Sequence, residues 1–321
     1  MRTLITGASG FAGGYLARAC HAAGEEVLGI SRSGTVPAQA GTGHCLDLCD
    51  AEAVRALVAE FAPDVVHHLA CLSSVGRSWL EPAQTMHDNV SAAVNLLEAL
   101  RLQAPTARVI WVSTSEVYGE AATLPIEEHA PLEPGSPYAI SKAAGDQLAG
   151  VYAQAYGLPV IRARPFSHAG PEQRPMFLIS SLSRTLVQAR RDGERSVQIA
   201  TGNPATRRDF IDVRDVARAY RLLVEHGTPG EVYNVSSGRS VSTAEQVQLA
   251  AELVSPLHVE HIVDPAQVRA HEISDLRGSH ERLTAATGWV PEVSLRDTWA
   301  DTIAWWERQL DAAQTEPAVS H

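Results

Sequence analysis

Five short β-branched runs, at 3–6, 27–30, 65–69, 109–112 and 160–164, alternate with longer Ala- and Leu-rich stretches of helical spacing over the first half of the chain. Such a series joins parallel strands through helices that cover both faces of one sheet. The chain is therefore predicted to be an α/β protein with a doubly wound parallel sheet. Ligands bind these sheets beyond the carboxyl ends of the strands, so the candidate sites fall just after each run. After Arg164 the pattern loosens into loops punctuated by Pro165, Gly170-Pro171 and Pro175, then gives a helix-like stretch at 177–191 and a strand-like piece at 231–235. We expect a sheet domain over 1–165 with a returning segment near 208–238. A smaller lobe is expected over 166–207 and 239–311, and a polar tail over 312–321.

Composition narrows the function classes. Hydrophobic residues are 45% and charged residues 20% of the 321, enough apolar material for a large core and no case for wholesale disorder. The formal net charge is −11 and no Lys/Arg-rich run interrupts the acidic balance, which argues against a nucleic-acid surface. The apolar stretch 65–70 is far short of the roughly 20 residues that span a bilayer. The N-terminus runs directly into a strand, so a cytoplasmic protein without a membrane segment is expected. Cys20, Cys45, Cys49 and Cys71 form no CxxC pair and read as free thiols, and no metal site is expected.

The first run leads directly into Thr6-Gly7-Ala8-Ser9-Gly10-Phe11-Ala12-Gly13, which opens a helix with glycines spaced GxxGxxG. Small residues there let backbone approach a pyrophosphate, whose charge meets the helix N-terminus. Ser31-Arg32-Ser33 closes the second run, and no acidic residue follows until Asp47. An acid at that point would accept from the ribose hydroxyls of NAD. Arg32 argues instead for the 2′-phosphate of NADP(H), with NAD(H) as the alternative. Asp47 is placed to accept from the adenine amino group, or equally to serve as an acid at a helix N-terminus.

Tyr138-Ala139-Ile140-Ser141-Lys142 sets a phenol and an ammonium four residues apart, on one helical face. A neighbouring cation favours the phenolate and is expected to lower the tyrosine pKa towards neutrality, making the pair an acid/base. Thr114, at the end of the fourth run, is placed to hydrogen-bond the same substrate oxygen, and Ser115-Glu116 follow it. Asn89, on a preceding helix, reads more readily as a helix-surface amide than as a group that orients the tyrosine.

The segments TGASGFAG, His68-Leu69-Ala70, STSEVYG, SPYAISK and RRDFIDVRD together resemble the extended branch of the short-chain dehydrogenase/reductase family, over nearly the whole chain. The resemblance implies a seven-stranded Rossmann domain, a C-terminal lobe for a nucleotide-diphosphate sugar, and a Thr114–Tyr138–Lys142 triad acting at sugar C4. It implies cofactor contacts from Gly7, Ser9, Gly10, Phe11, Ala12 and Gly13, from Arg32, Asp47 and Leu48, and from Leu69, Ala70 and Pro165 beside Tyr138 and Lys142. Substrate contacts are implied from Ser73, Ser74, Ser167, Arg208, Arg269 and Glu272. Arg208 would meet the diphosphate.

RPFSHAGPEQ at 164–173, Gly202-Asn203, Arg208-Asp209-Phe210 and the 264–272 segment are most similar to the GDP-mannose group of that branch. Its members include GDP-4-keto-6-deoxy-D-mannose reductases and GDP-mannose 4,6-dehydratases. Within that group Ser167 stands where Asn is usual. Thr114-Ser115-Glu116 fits the dehydratase pattern, in which a Glu removes the C5 proton. The C-terminal half reads as reductase, and the 31–44 segment lacks a long Arg-rich assembly loop. The expected function is reduction of GDP-4-keto-6-deoxy-D-mannose with NADP(H), with a 4,6-dehydratase, a 4-epimerase and a non-catalytic cofactor-binding protein as alternatives. The family resemblance also implies a homodimer through helices near 83–102 and 138–156.

Overall fold

The computed structural model describes residues 1–268 and 272–315. In chain order its strands are β1 (Arg2–Thr6), β2 (Glu26–Ser31), β3 (Thr42–Cys45), β4 (Val65–His68), β5 (Arg108–Val112), β6 (Val160–Pro165), β7 (Ser167–Ala169), β8 (Ser196–Thr201), β9 (Arg207–Asp212), β10 (Val232–Val235), β11 (Ser240–Ser242), β12 (His258–Val263) and β13 (Asp275–Leu276). The helices are α1 (Phe11–Ala22), α2 (Ala51–Phe61), α3 (Val75–Leu80), α4 (Pro82–Gln103), α5 (Pro137–Tyr156), α6 (Leu178–Arg191), α7 (Val213–His226), α8 (Thr243–Leu253), α9 (Glu281–Thr287) and α10 (Leu295–Thr315).

Seven strands form one sheet in the order β10-β6-β5-β4-β1-β2-β3, and every pairing in it is parallel. This is the doubly wound sheet expected from the alternation. Successive side chains of a strand face opposite ways, so both neighbours must be apolar when helices cover both faces. Ile5, Ile110 and Ile161 pack with α1 and α7, through Leu16, Tyr220 and Leu223. Their neighbours Leu4, Val109 and Val160 pack with α2 and α4, through Val58, Leu96 and Leu97. Each fully buried aliphatic side chain contributes about 1.5–3 kcal/mol.

Beyond the sheet, β9 pairs with β7, β11 and β13, while β8 and β12 pair in parallel under α6 and α10. The expected helix at 177–191 begins at Leu178 because Phe177 keeps an extended backbone, with φ −102 and ψ 145. Strand β3, of sequence TGHC, offers no β-branched run and is held only by pairing with β2. Trp305 and Trp306 meet edge-to-face at 4.7 Å inside the core beneath α6.

Strand β4 carries two histidines in the middle of the sheet. His67 and His68 are 1% and 2% exposed. Burial pushes both from an ordinary 6.5 down to about 3, and the Arg221 and Lys142 charges add to this at His67 and His68 respectively. Between those pH values the unfolded chain binds protons that the folded chain refuses, so stability rises with pH by about 1.4 kcal/mol per pH unit for each histidine. The urea midpoint is expected to fall as pH drops from 6.5 towards 5, with Asp209, whose carboxyl burial raises to about 6, offsetting part of that fall. A flat midpoint across that interval would refute the neutral assignment.

Candidate active site

The turn after β1 is shaped by backbone contact. Gly7 sits at φ +77, and a Cβ there would come within 2.8 Å of the Ala70 amide nitrogen at the end of β4. A Cβ on Gly13 would meet the Gly7 carbonyl at 2.2 Å, so α1 can lie this close to the turn only with glycine at both places. Gly10 is the N-cap of α1, with no side-chain cap and no acidic residue in the first turn. The positive end of the helix is thus left for an anion, as a dinucleotide pyrophosphate requires. Ser9 is exposed and Phe11 and Ala12 are half-buried beside it. The Phe11 ring stacks on His168 at 6.0 Å with the planes 7° apart.

Arg32 projects from the end of β2, 68% exposed, with its guanidinium 3.5 Å from the Asp88 carboxylate. Asp47 accepts from the Cys49 amide at 2.9 Å, and the Leu48 carbonyl accepts from Asn95 at 2.9 Å. These groups line the β2–β3 side of the same sheet edge. Thr6 ties the end of β1 to β4. Its hydroxyl accepts from the Ala70 amide at 3.3 Å and pairs with His68 Nδ1 at 2.8 Å, setting Leu69 and Ala70 beside the glycine turn.

At the end of β5, Thr114 caps a single 3-10 turn, Ser115–Tyr118, its hydroxyl accepting from the Glu116 amide at 3.3 Å. Ser136 caps α5 through the Ala139 amide at 3.1 Å, with Pro137 in its first turn. Tyr138 and Lys142 therefore face inward from the first two turns of α5, and both are buried. Burial raises the pKa of the Tyr138 phenol well above its ordinary 10, Cys71 and Glu116 raise it further, and the nearby Thr114 hydroxyl opposes this only in part. Lys142 Nζ donates to the Val112 carbonyl at 2.6 Å. The expectation that Lys142 lowers the tyrosine pKa is thus corrected: burial dominates the shift, and the ammonium rests on a backbone carbonyl.

Two features of this region escaped the sequence. Asn89 is 6% exposed rather than a surface amide. It accepts from the Leu72 amide at 2.7 Å and donates to Ser141 at 2.9 Å, joining the loop after β4 to α5. Asp146, one turn beyond Lys142, is wholly buried and receives two bonds from Arg164, at 2.8 and 2.9 Å. Arg164 in turn donates to the Tyr118 hydroxyl at 3.0 Å, so one guanidinium holds both α5 and the Thr114 turn. A lone carboxylate on an otherwise small-residue helix face was the available signal for Asp146.

On the substrate side the candidates separate. The Ser74 hydroxyl is engaged as the cap of α3, and Ser73 is exposed in the same loop. Ser167 begins β7, directly after Pro165 and Phe166. Arg208 donates to the carbonyls of Arg207 and Ile273, at 2.8 and 2.7 Å. Asp209 is occupied by the amides of Ser237, Gly238 and Gly278, and Asp212 by Arg214 and Thr298. Glu272 keeps a buried carboxylate oxygen without a hydrogen-bond partner among the described residues. Arg269 lies outside the described residues. The 272–277 segment reaches the catalytic turn through Ser274, whose amide donates to Glu120 at 3.2 Å.

Among the described residues no helix is long and apolar enough to cross a membrane. Comparison with known proteins gives a consistent picture. A family model described as GDP-mannose 4,6 dehydratase matches residues 4–302. The GDP-6-deoxy-D-mannose reductase of Pseudomonas aeruginosa is 34% identical over 96% of this chain and 98% of its own length. The solved structure of RMD from Pseudomonas aeruginosa complexed with NADPH aligns with a TM-score of 0.82 at 33% identity, covering 96% of this chain and 99% of that one. A UDP-glucose 4-epimerase of Thermus thermophilus complexed with NAD aligns with a TM-score of 0.84 at 29% identity, covering 95% and 99%.

Proposed function

Since the chain belongs to the GDP-mannose 4,6 dehydratase family, within the extended short-chain dehydrogenase/reductases, and is a nucleotide-sugar enzyme, we propose that it reduces the 4-keto group of GDP-4-keto-6-deoxy-D-mannose with NADPH. The observation that carries this reading is the 34% identity, over 96% of this chain, to the GDP-6-deoxy-D-mannose reductase of Pseudomonas aeruginosa. Reduction needs a proton donor at C4, and Tyr138, buried at the start of α5, is the group assigned to it.

Bound NADPH supplies a hydride. The Thr114 and Tyr138 hydroxyls would donate to the C4 carbonyl oxygen and polarise it. The C4 oxygen would take the Tyr138 proton, leaving a secondary alcohol and a phenolate that solvent would reprotonate. Lys142 would hold the nicotinamide ribose. Arg208 supplies the guanidinium for the diphosphate in an otherwise acidic protein.

A second reading has its own support. Glu116 is a half-buried carboxylate near enough to Tyr138 to raise its pKa, as a C5 base in a 4,6-dehydratase would be. The two are separated by incubating the protein with NADPH and GDP-4-keto-6-deoxy-D-mannose, and in parallel with NADP⁺ and GDP-mannose. Stoichiometric NADPH loss with a product two hydrogens heavier supports the reductase. Loss of water from GDP-mannose with no net cofactor change supports the dehydratase instead.

NADP(H) preference is assigned to Arg32. Arg32→Ala is expected to raise the KM for NADPH by roughly 10- to 100-fold, the worth of a hydrogen-bonded charge contact, and to leave the KM for NADH within about twofold. Equal effects on both would remove Arg32 from cofactor selection. We further place the enzyme in the cytoplasm as a homodimer. Val94 and Leu102 on α4 and Ile140, Val151 and Tyr156 on α5 are exposed apolar residues that support a paired α4–α5 face.

A further inference from the structure

At the β2–β3 end of the sheet, three metal-type donors from two distant segments converge. The Cys49 sulfur, a His87 ring nitrogen and an Asp88 carboxylate oxygen all lie within 4.8 Å of one another. In a tetrahedral site with arms of 2.0–2.3 Å the ligand atoms stand roughly 3.3–3.8 Å apart, so side-chain rotation closes the remaining distance. His87 Nδ1 and Asp88 Oδ1 are already 3.3 Å apart.

The electrostatics favour a cation. The Asp88 carboxylate lies beside the Cys49 sulfur and the Asp47 carboxylate accepts from the Cys49 amide at 2.9 Å, so two negative charges flank the site. The opposing group is Arg32, 3.5 Å from Asp88 Oδ2, while Gln84 donates to Oδ1. His87 is largely exposed and Cys49 half-buried, so an ion can enter from solvent.

We propose that Cys49, His87 and Asp88 form a binding site for one thiophilic divalent cation of the zinc class. A sulfur, an imidazole nitrogen and a single carboxylate suit zinc, cobalt or cadmium, whereas magnesium and calcium require oxygen ligands. On binding, the S–H bond breaks and a metal–sulfur bond forms, with the thiol proton released to solvent. Water would fill the fourth position. Because Asp88 also holds Arg32, metal and guanidinium compete for one carboxylate. Position 49 and positions 87–88 share no motif spacing, which is why the chain as a string showed no metal site.

Co²⁺ titration of the tag-free apoprotein under reducing conditions tests this. One equivalent is expected to bind per chain with a near-ultraviolet thiolate charge-transfer band, displaced by Zn²⁺. Cys49→Ser should abolish the band. His87→Ala should weaken binding by about tenfold or more, since loss of even an outer partner of a metal ligand costs that much. Arg32→Ala should tighten it, an outcome that simple damage to the fold cannot produce. No thiolate band, a band that survives Cys49→Ser, or affinity unchanged in His87→Ala would overturn the proposal. None of these readouts depends on which nucleotide sugar the enzyme uses.

Discussion

Tyr138→Phe is expected to lower kcat by about 10²- to 10⁴-fold while leaving NADPH affinity, read by fluorescence titration, near that of the parent. The substitution keeps the buried ring packed in α5 and removes only the hydroxyl. The hydride donor and the substrate would still bind, but the oxygen generated at C4 would lack its proton source. A variant retaining more than about a tenth of parental turnover would show that another group supplies the proton, and a variant that no longer binds NADPH would show that the hydroxyl holds the cofactor. The same assay addresses the non-catalytic alternative, for which the hydroxyl has no work to do.

The second large effect concerns the buried ion pair. Asp146→Ala would leave Arg164, 4% exposed at its side chain, without its carboxylate, and would also deprive Arg162 at 3.3 Å. Breaking a buried pair by removing one partner costs about 3–5 kcal/mol, because the remaining charge stays desolvated. For a chain of this size the Tm should fall by roughly 4–7 °C. The double variant Asp146→Leu with Arg164→Met is expected to recover part of that loss, since it removes both charges. If Asp146→Ala proves as stable as the parent, the pair is not holding α5. The pH dependence has a definite sign. Arg164 keeps the Asp146 carboxyl below its usual range, so its contribution is present at neutral pH and disappears as pH falls through that lowered value.

The parallel sheet was legible because its strands are buried on both faces and so read as continuous apolar runs, as in Val109-Ile110-Trp111-Val112. The glycine turn was legible for a related reason: Gly7 and Gly13 are fixed by backbone collisions that no other residue avoids. The second half was harder. Strands β7, β11 and β13 have three, three and two residues, and what holds them is pairing with β9 rather than any local pattern. The direction of the Tyr138 shift was misread because spacing on a helix shows which side chains are near each other but not which carbonyl an ammonium will choose. Asn89 was misjudged for the same kind of reason, since an amide's partners on another loop and helix leave no trace in its own sequence neighbourhood.

Gly10 gives the first amides of α1 no side chain to bond. In most helices a serine or aspartate at this position contributes about 1 kcal/mol to the fold from within the chain. With a dinucleotide bound there as proposed, that contribution would come from a diffusible anion, and folding and metabolite supply would share one equilibrium. At a ligand concentration a hundred times its Kd, a molecule that binds only the folded chain adds about 2.7 kcal/mol of stability. The amount of intact enzyme would then track the size of the whole dinucleotide pool, so that a cell short of dinucleotide would carry not only a slower catalyst but a shorter-lived one.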